Sequence, residues 1–297
     1  MQELTSCSIC PRHCQVNRNR QERGFCQAGA NLKIGRAALH RWEEPCLSGT
    51  NGSGTIFFSY CNLQCIFCQN FEISSKHAGK EVSIERFVEI CFELEQKGAT
   101  NINLVTPTHY IPQIREGLKI AKKKGLTIPI VYNSSGYEDV TALRSLEGLI
   151  DIYLPDFKYF DDSLAICFSH ASHYFAICKE ALKEMIRQVG KPQFDRNGIL
   201  QKGVIVRHLI LPGHIDDSKR ILHYLYHTYH DSIFISIMNQ YTVTRLLPYP
   251  ELNRSVSEKE YEEVIQYAIQ LGIENAFIQE QGTDQASFIP SFQGEGV

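Results

Sequence analysis

The sequence predicts an α/β fold, a partial (β/α)6 barrel that follows a small cysteine-rich segment, and two observations support this prediction. From about residue 55 onward, short runs rich in β-branched and aromatic residues alternate with amphipathic segments. Eight of the eleven cysteines lie before residue 69, at or ahead of the start of that alternating region. Strands that alternate with helices form parallel sheets, because each helix returns the chain to the same end of the sheet.

Six strands and six helices are expected in this order along the chain. The β-rich runs predict strands at 55–60, 101–106, 128–133, 150–155, 204–211 and 233–238. Helical patterns fall at about 84–96, 111–124, 138–147, 170–189, 216–229 and 258–271. The last helix is the best delimited, because Ser257 and Glu260 form a capping box and Gly272 stands at the C′ position.

The number of units decides how far the sheet closes. Six units fall short of the eight in a standard barrel, so an open or partial barrel fits best and a doubly wound sheet is the alternative. The nucleotide-binding forms of that alternative carry a Walker loop or a G-x-G-x-x-G turn after the first strand, and this sequence has neither. The glycine cluster at 49–54 precedes the first predicted strand. We interpret it as a hinge between a front segment, residues 1–54, and the barrel core, residues 55–297.

Composition excludes several classes of protein. The 297 residues include 30 Lys+Arg and 33 Asp+Glu, and this net charge of −3 disfavours a protein whose main role is to bind nucleic-acid backbone. No apolar run approaches the roughly 20 residues of a membrane span. The first residues carry no apolar signal segment, so we expect a cytoplasmic protein. Disulfides are rare in that compartment, and clustered cysteines there indicate metal binding or catalysis.

The strongest chemical signal directly follows the first predicted strand. Cys61, Cys65 and Cys68 form a C-x3-C-x2-C pattern on one loop, so their sulfurs can face a single centre. Structural zinc and ordinary [4Fe–4S] clusters take four protein ligands each. Three cysteines leave one coordination position for a substrate or cofactor. The C-terminal end of a barrel strand is also where such folds hold their active sites.

This pattern, with the aromatic Phe67 just before its last cysteine, resembles the hallmark of radical S-adenosylmethionine (SAM) enzymes. The resemblance implies a [4Fe–4S] cluster on Cys61, Cys65 and Cys68, whose fourth iron is chelated by the amino and carboxylate groups of SAM. It also implies that reduction of the cluster cleaves SAM to methionine and a 5′-deoxyadenosyl radical. That radical then abstracts hydrogen from a substrate.

Within the superfamily the chain is most similar to the pyruvate formate-lyase activating enzymes, and more narrowly to the PflX-like group. The matching landmarks are the segments 43–46, 52–58, 105–110 and 206–209. One function implied by this resemblance is a glycyl-radical activase, which takes hydrogen from a glycine of a large protein partner and receives electrons from a flavodoxin- or ferredoxin-like donor. Radical modification of a small molecule or another target is the alternative. A non-catalytic iron–sulfur or zinc protein is a further one.

The same resemblance places SAM-binding residues at the ends of the following strands. At the second strand, Thr106-Pro107-Thr108-His109 replaces the Gly-Gly-Glu-Pro segment of many radical SAM proteins; His109 could hold SAM or the substrate, or be a loop residue without a role. At the fourth strand, the implied SAM-binding residues are Asp156 and Lys158. The alternative is that these two residues form a surface ion pair, which contributes little to stability. The implied cofactor-binding set is Thr108, His109, Asn133, Ser135, Asp156, Lys158 and Arg207.

Arg207 in this set also has an argument of its own. It lies in a predicted strand with apolar neighbours on both sides, and a guanidinium is not normally buried without a partner. We therefore expect its side chain to point into the barrel, toward an anion or another acceptor. The SAM carboxylate or ribose is the candidate that the resemblance implies, and the substrate is the second.

The front segment contains a second cysteine set. Cys7, Cys10, Cys14 and Cys26 supply the four ligands of a closed metal centre, and metal binding can provide the folding energy that so short a segment lacks. Structural zinc and an auxiliary iron–sulfur cluster both fit the spacing, and free loop thiols are the remaining reading. The pattern assigns no role to Cys46. The cysteines scattered later are expected to be buried thiols; they are Cys91, Cys167 and Cys178.

Overall fold

The computed structural model describes residues 2–279 and 290–297 and confirms a mixed α/β fold with an open sheet. The strands are β1 (Leu32–His40), β2 (Ser53–Phe58), β3 (Lys80–Val82), β4 (Ile102–Val105), β5 (Ile130–Ser134), β6 (Ile152–Pro155), β7 (Gln193–Phe194), β8 (Leu200–Leu209), β9 (Phe234–Met238) and β10 (Ala276–Ile278). The α-helices are α1 (Pro45–Ser48), α2 (Phe71–Ser74), α3 (Ile84–Gln96), α4 (Ile111–Lys123), α5 (Val140–Arg144), α6 (Asp162–Ser169), α7 (Tyr174–Val189), α8 (Ile215–Tyr229) and α9 (Glu258–Leu271).

The sheet has the order β3-β1-β2-β4-β5-β6-β8-β9-β10, and β7 pairs with β8 beside this path. The strands from β2 to β10 in this order run parallel, whereas β1 and β3 are antiparallel additions at one edge. Within the part of the chain that the structure describes, the two edge strands do not pair with each other. The sheet is therefore a partial barrel, and its six central strands are the six that the sequence predicts.

The structure also adds elements that the sequence pattern did not reveal. β1 belongs to the front segment, and its residues 34–40 pair with β2. This pairing crosses the predicted boundary between residues 54 and 55. The division into two domains stays a prediction. Helix α6 was not predicted, and the helix expected at 170–189 begins at Tyr174. The capping box of α9 is present, with both of its hydrogen bonds, and Gly272 has a φ of 79°.

Alternation along the strands divides their side chains between two faces. The outer face packs against the helices and carries most of the core, including Tyr132, Tyr153 and Val206. The inner face is the concave side of the partial barrel. Its smaller apolar cluster consists of Cys46, Leu47, Val131, Ile152, Leu154, Leu200 and Ile205. Helix α1 covers the inner face at the end where the strands begin, because its Cys46 and Leu47 belong to this cluster. A hydrogen bond from Asn101 Nδ2, just before β4, to Leu47 O joins the helix to the sheet.

The scattered cysteines differ in exposure. Cys91 in α3 and Cys178 in α7 are buried, as predicted. Cys46 in α1, to which the sequence pattern assigns no role, is buried too. The prediction for Cys167 is wrong, because its thiol is exposed. It lies on α6, a short helix that buries only three of its eight residues. Among the described residues, no helix is both long and apolar enough to span a membrane.

Candidate active site

The loop at residues 59–70 joins β2 to α2 and carries the C-x3-C-x2-C pattern; we call it the cysteine loop. Its course requires left-handed backbone at Tyr60 (φ 73°) and Gln64 (φ 54°), and the wholly buried Leu63 anchors it to the core. Each of the three sulfurs accepts one hydrogen bond. The donors are Leu63 N to Cys61 (3.3 Å), Ser169 Oγ to Cys65 (2.9 Å) and Ser74 Oγ to Cys68 (3.4 Å).

The three thiols share a confined environment. Burial, together with the nearby sulfurs of Cys65 and Cys68, raises the pKa of Cys61 to about 12. Burial also raises the pKa of Cys65, although Lys158 acts in the opposite direction. Thiolates in such surroundings need positive charge close to them, which bound metal supplies. A donor to each sulfur is the kind of outer contact that tunes iron–sulfur sites.

Three cysteines on one loop supply three of the four ligands that an ordinary [4Fe–4S] cluster takes. In a [4Fe–4S] cluster each cysteine binds a different iron, so the sulfurs surround the centre without touching one another. The cysteine loop therefore fits a cluster with one iron that the protein does not ligate.

Charged side chains meet on the inner face beside the cysteine loop. Asp156 follows β6, and its two carboxylate oxygens accept from Lys158 Nζ (2.6 Å) and Arg207 Nε (3.3 Å). The other guanidinium nitrogens of Arg207 donate to Glu43 Oε2 (3.1 Å) and Asn133 Oδ1 (2.6 Å). Arg207 does point into the barrel, as expected, and the acceptors that it meets there belong to the protein itself.

Burial and pairing compete within this network. Burial alone would raise the pKa of Asp156, but Lys158 and Arg207 outweigh it and hold that pKa below its ordinary value. Burial would lower the pKa of Lys158, yet Asp156 and Cys65 raise it. Asp156 and Lys158 are thus a charged pair. For Glu43 burial dominates and raises the pKa in spite of Arg207.

The inner face carries more acids than bases. Glu44 is also buried, and its burial raises its pKa. Among the described residues, the cations that act on Glu43, Glu44 and Asp156 are Lys158 and Arg207. Within the described residues, Glu44 Oε2 and Asn103 Oδ1 are buried without a hydrogen-bond partner. Buried acceptors of this kind favour a ligand that brings hydrogen-bond donors or positive charge.

The structure groups the implied cofactor-binding residues in three places. It brings together Asn133, Asp156, Lys158 and Arg207. Ser135 joins the cysteine loop instead, where its Oγ donates to Asn62 Oδ1 (3.5 Å). Thr108 lies elsewhere and donates to Glu138 Oε1 (2.6 Å), whereas the buried ring of His109 reaches the start of the cysteine loop and contacts Ser59 O through Nε2 (2.8 Å).

Glu138 gives the site a pH-dependent element that the sequence does not reveal. Burial raises the pKa of this carboxyl from 4.5 to about 7, although Thr108 and Tyr132 donate to it. An acid whose pKa is raised by folding stabilises the fold fully below its unfolded pKa, and this contribution is lost as the pH rises through about 7.

We expect Glu138→Gln to remove that pH dependence. Between about pH 5 and about pH 8, ionisation of Glu138 should lower the free energy of unfolding of the wild type by on the order of 3 kcal/mol. The variant should not show this decline. Thermal unfolding of both proteins at the two pH values, under argon and with equal iron content, measures the difference. Equal declines in both proteins would contradict the assignment.

Two side chains that sequence reasoning missed complete the site. Ser169 reaches Cys65 from α6, 104 positions further along the chain, and its hydroxyl lies 2.6 Å from Tyr159 Oη. No motif around Ser169 could have indicated this contact. In the sequence, Glu43 is only part of a landmark segment. The adjacent acids Glu43 and Glu44, just before Pro45, are the sequence feature that could have indicated a buried carboxylate.

The four cysteines of the front segment line one cavity. Cys7, Cys10 and Cys26 are buried, Cys14 is partly exposed, and the cavity between them is small. It borders the site, because His109 also lines it. The four cysteines thus lie around one cavity, but among the described residues no three His, Cys, Asp or Glu side chains form a group that could hold a metal ion, and the second metal site stays a prediction.

Comparison with known proteins gives the same picture as the geometry. The family model described as the radical SAM superfamily matches residues 55–225. An uncharacterised protein of Methanocaldococcus jannaschii is 30% identical in an alignment of 276 residues that covers 89% of this chain and 74% of that protein. A second uncharacterised protein of the same organism is 26% identical over 239 residues, 74% of this chain and 65% of that protein.

Solved structures show the likeness in fold. A radical SAM methyltransferase from Sphaerobacter thermophilus has a TM-score of 0.55 at 15% identity, covering 81% of this chain and 70% of that one. Methylornithine synthase has a TM-score of 0.52 at 16% identity, covering 79% of this chain and 66% of that one. At these identities the likeness concerns the fold alone.

Proposed function

The chain belongs to the radical SAM superfamily, and we propose that it is an activating enzyme of the PflX-like group that takes a hydrogen atom from a glycine of a protein partner. Membership of the superfamily supports SAM-cleaving radical chemistry. When bound, the [4Fe–4S] cluster supplies the electron that splits SAM into methionine and a hydrogen-abstracting 5′-deoxyadenosyl radical.

The observation that carries the proposal is the position of the cysteine loop beside the charged network. Cys61, Cys65 and Cys68 follow β2, while Asp156 and Arg207 pair where β6 ends against β8. Both features therefore lie toward the carboxyl ends of the parallel strands, where barrels of this type hold their substrates.

The charge of the inner face supports SAM as the ligand. SAM carries a sulfonium, an ammonium and a carboxylate, so its net charge is positive, and the inner face has three acids against two bases. Lys158 is the cation that acts on both Asp156 and Cys65. We assign Lys158 and Arg207 to the SAM carboxylate and the neighbouring acids to its positive groups. These roles follow from charge complementarity.

Two features favour a protein substrate. The sheet is open at its edges among the described residues, and an unclosed barrel has a side that a peptide loop can enter. The resemblance to activating enzymes, which act on such loops, is the second feature. The reductant that fits this chemistry is a flavodoxin- or ferredoxin-like protein.

The activase role is tested by looking for its product. The reconstituted chain, dithionite and SAM are mixed under argon with each glycyl-radical protein of the source organism, and a glycyl EPR doublet is expected with one of them. A Cys65→Ala variant, which lacks one ligand of the cysteine loop, is the matched control. If 5′-deoxyadenosine forms but no partner acquires the doublet, the activase role is wrong.

A small-molecule substrate is the second candidate, because the inner face has acceptors without partners. Glu44 Oε2 and Asn103 Oδ1 would suit a substrate that carries amino or amide groups. This alternative predicts that small amines, rather than a protein, increase the rate of 5′-deoxyadenosine formation. A chain that binds iron but never cleaves SAM would instead be a non-catalytic iron–sulfur protein.

A further inference from the structure

The short helix α6 ends against the cysteine loop. Its last residue, Ser169, is wholly buried, and its Oγ lies 2.9 Å from the sulfur of Cys65. A cysteine that ligates iron has lost its proton, so with metal bound the hydroxyl is the donor and the sulfur is the acceptor. Because the hydrogen of Ser169 then points to the sulfur, its oxygen accepts from Tyr159 Oη, 2.6 Å away. Two hydrogen bonds in series therefore end on Cys65.

The front segment holds this end of α6 against the loop through one side chain. Arg12 Nε donates to Asn62 O of the cysteine loop (2.9 Å). Its Nη2 donates to Ser169 O (3.2 Å), and its Nη1 donates to His170 O. Carbonyls at the end of a helix have no partner within the helix, and the planar fork of a guanidinium can satisfy several of them at once. Arg12 thus joins the cysteine loop to the residue that contacts Cys65.

Aromatic rings fix the orientation of the Arg12 guanidinium. Its central carbon lies 3.8 Å from the centre of the Phe25 ring and 5.3 Å from that of Tyr137. Stacking of this kind restricts the plane of the guanidinium, so its donors stay directed at the three carbonyls. A second bond between the same segments runs the other way, because Gln64 Nε2 donates to Phe25 O (2.9 Å). The contact between the front segment and the cysteine loop is therefore specific.

A hydrogen bond to a ligating sulfur affects how readily a cluster accepts an electron. Reduction by one electron from a ferredoxin- or flavodoxin-like donor adds one negative charge to the cluster. A hydrogen-bond donor stabilises the more negative form more strongly, and such bonds help to set the potentials of iron–sulfur sites. The bond from Ser169 is the shortest of the three to the cysteine sulfurs, since the others measure 3.3 Å and 3.4 Å. It should therefore have the largest effect.

We propose that Ser169 raises the reduction potential of the cluster at the cysteine loop, and that Arg12 is a positioning residue that holds Ser169 against Cys65. The front segment thereby contributes to electron uptake by the site. The proposal depends on a cluster at the cysteine loop but not on the identity of the substrate, so its tests use neither SAM nor a partner protein. A failure of the activase role would leave it intact.

The first test measures the midpoint potential of the cluster in Ser169→Ala. The reconstituted variant and the wild type are titrated under argon, and the reduced cluster is followed by EPR. At a fixed ambient potential, the ratio of reduced to oxidised cluster should fall about tenfold, which is about 59 mV for a one-electron couple. Ser163→Ala, which changes an exposed serine of the same helix, is the control and should keep the wild-type potential. Equal potentials in Ser169→Ala and the wild type would overturn the proposal.

A second pair of variants tests whether Arg12 acts through Ser169. Arg12→Lys keeps the positive charge but loses the fork that reaches three carbonyls, so its potential should shift toward that of Ser169→Ala. The double variant should have the potential of Ser169→Ala alone, because nothing is left for Arg12 to position. A wild-type potential in Arg12→Lys, or shifts that add in the double variant, would show that Arg12 does not position Ser169.

Hydrogen exchange of the metal-free chain covers the case in which the variants bind the cluster poorly. The amide of Ile66 in the cysteine loop donates to Phe168 O at the end of α6 (2.8 Å) and so reports their contact. Arg12→Lys should increase the exchange rate of this amide by about tenfold or more, because local opening becomes easier. Ser163→Ala should leave the rate unchanged. An unchanged rate in Arg12→Lys would contradict the positioning role without any metal being bound.

Discussion

Replacing Cys65 by alanine is expected to abolish SAM cleavage, with the loss of the iron bound at the cysteine loop. Cys65 is the buried member of its trio, accepts a hydrogen bond from Ser169 and lies within the field of Lys158. Changes in the outer contacts of a metal site alone cost about 10–100-fold, so loss of a ligand should exceed about 100-fold. Chromatography of 5′-deoxyadenosine and iron analysis on one preparation measure both effects.

A matched thiol shows whether the effect is specific to the site. Cys91 is also wholly buried, but it lies on α3 and packs in the outer core. Cys91→Ala should therefore retain the iron and the cleavage rate of the wild type, with some loss of stability. Cleavage at the wild-type rate in Cys65→Ala would exclude this loop as the cluster site.

Replacing Arg207 by methionine should destabilise the fold strongly. The guanidinium contacts Asp156, Glu43 and Asn133, and its removal leaves the buried Glu43 without its ion-pair partner and Asp156 with Lys158 alone. Breaking a buried ion pair in this way typically costs about 3–5 kcal/mol. The midpoint of thermal unfolding should therefore fall by roughly 6–20 °C, measured at equal iron content.

A second substitution separates charge from packing. Glu43→Gln, combined with Arg207→Met, removes one of the acids that lost its partner and should restore part of the lost stability. Glu43→Gln alone should destabilise the protein less than Arg207→Met does, because Asp156 still pairs with Arg207 and Lys158. If Arg207→Met unfolds at the wild-type temperature, the acids on the inner face are not held by this guanidinium.

The repeated part of the fold could be predicted from the sequence, and its edge could not. The central strands are short apolar runs between helices, a pattern that local periodicity reveals. β1 contains Gly35, Ala37 and Ala38, which carry little β-strand preference, and it pairs antiparallel with β2 and with the short edge strand β3, outside the repeating β/α pattern. Helix α6 has only eight residues, too few for a clear helical pattern.

The candidate site shows the same difference between residues that a local pattern reveals and residues that only tertiary packing brings together. The cysteine trio is local in sequence, so its spacing was enough to predict a cluster site. The donor Ser169 and the acid Glu43 reach the site through tertiary packing, which no local pattern encodes. Thr108 and His109 follow the expected strand, but they contact Glu138 and Ser59. Arg18 of the front segment donates to the backbone oxygen of His109, a contact that no local pattern indicates.

The most direct test of the central claim is the formation of 5′-deoxyadenosine by the wild-type chain. The protein is reconstituted with iron and sulfide under argon, reduced with dithionite and incubated with SAM, and the products are separated by chromatography. Reductive cleavage at the cysteine loop predicts 5′-deoxyadenosine and methionine in equal amounts, well above the Cys65→Ala control. No 5′-deoxyadenosine above that control, from protein that contains the full complement of iron, would contradict the account.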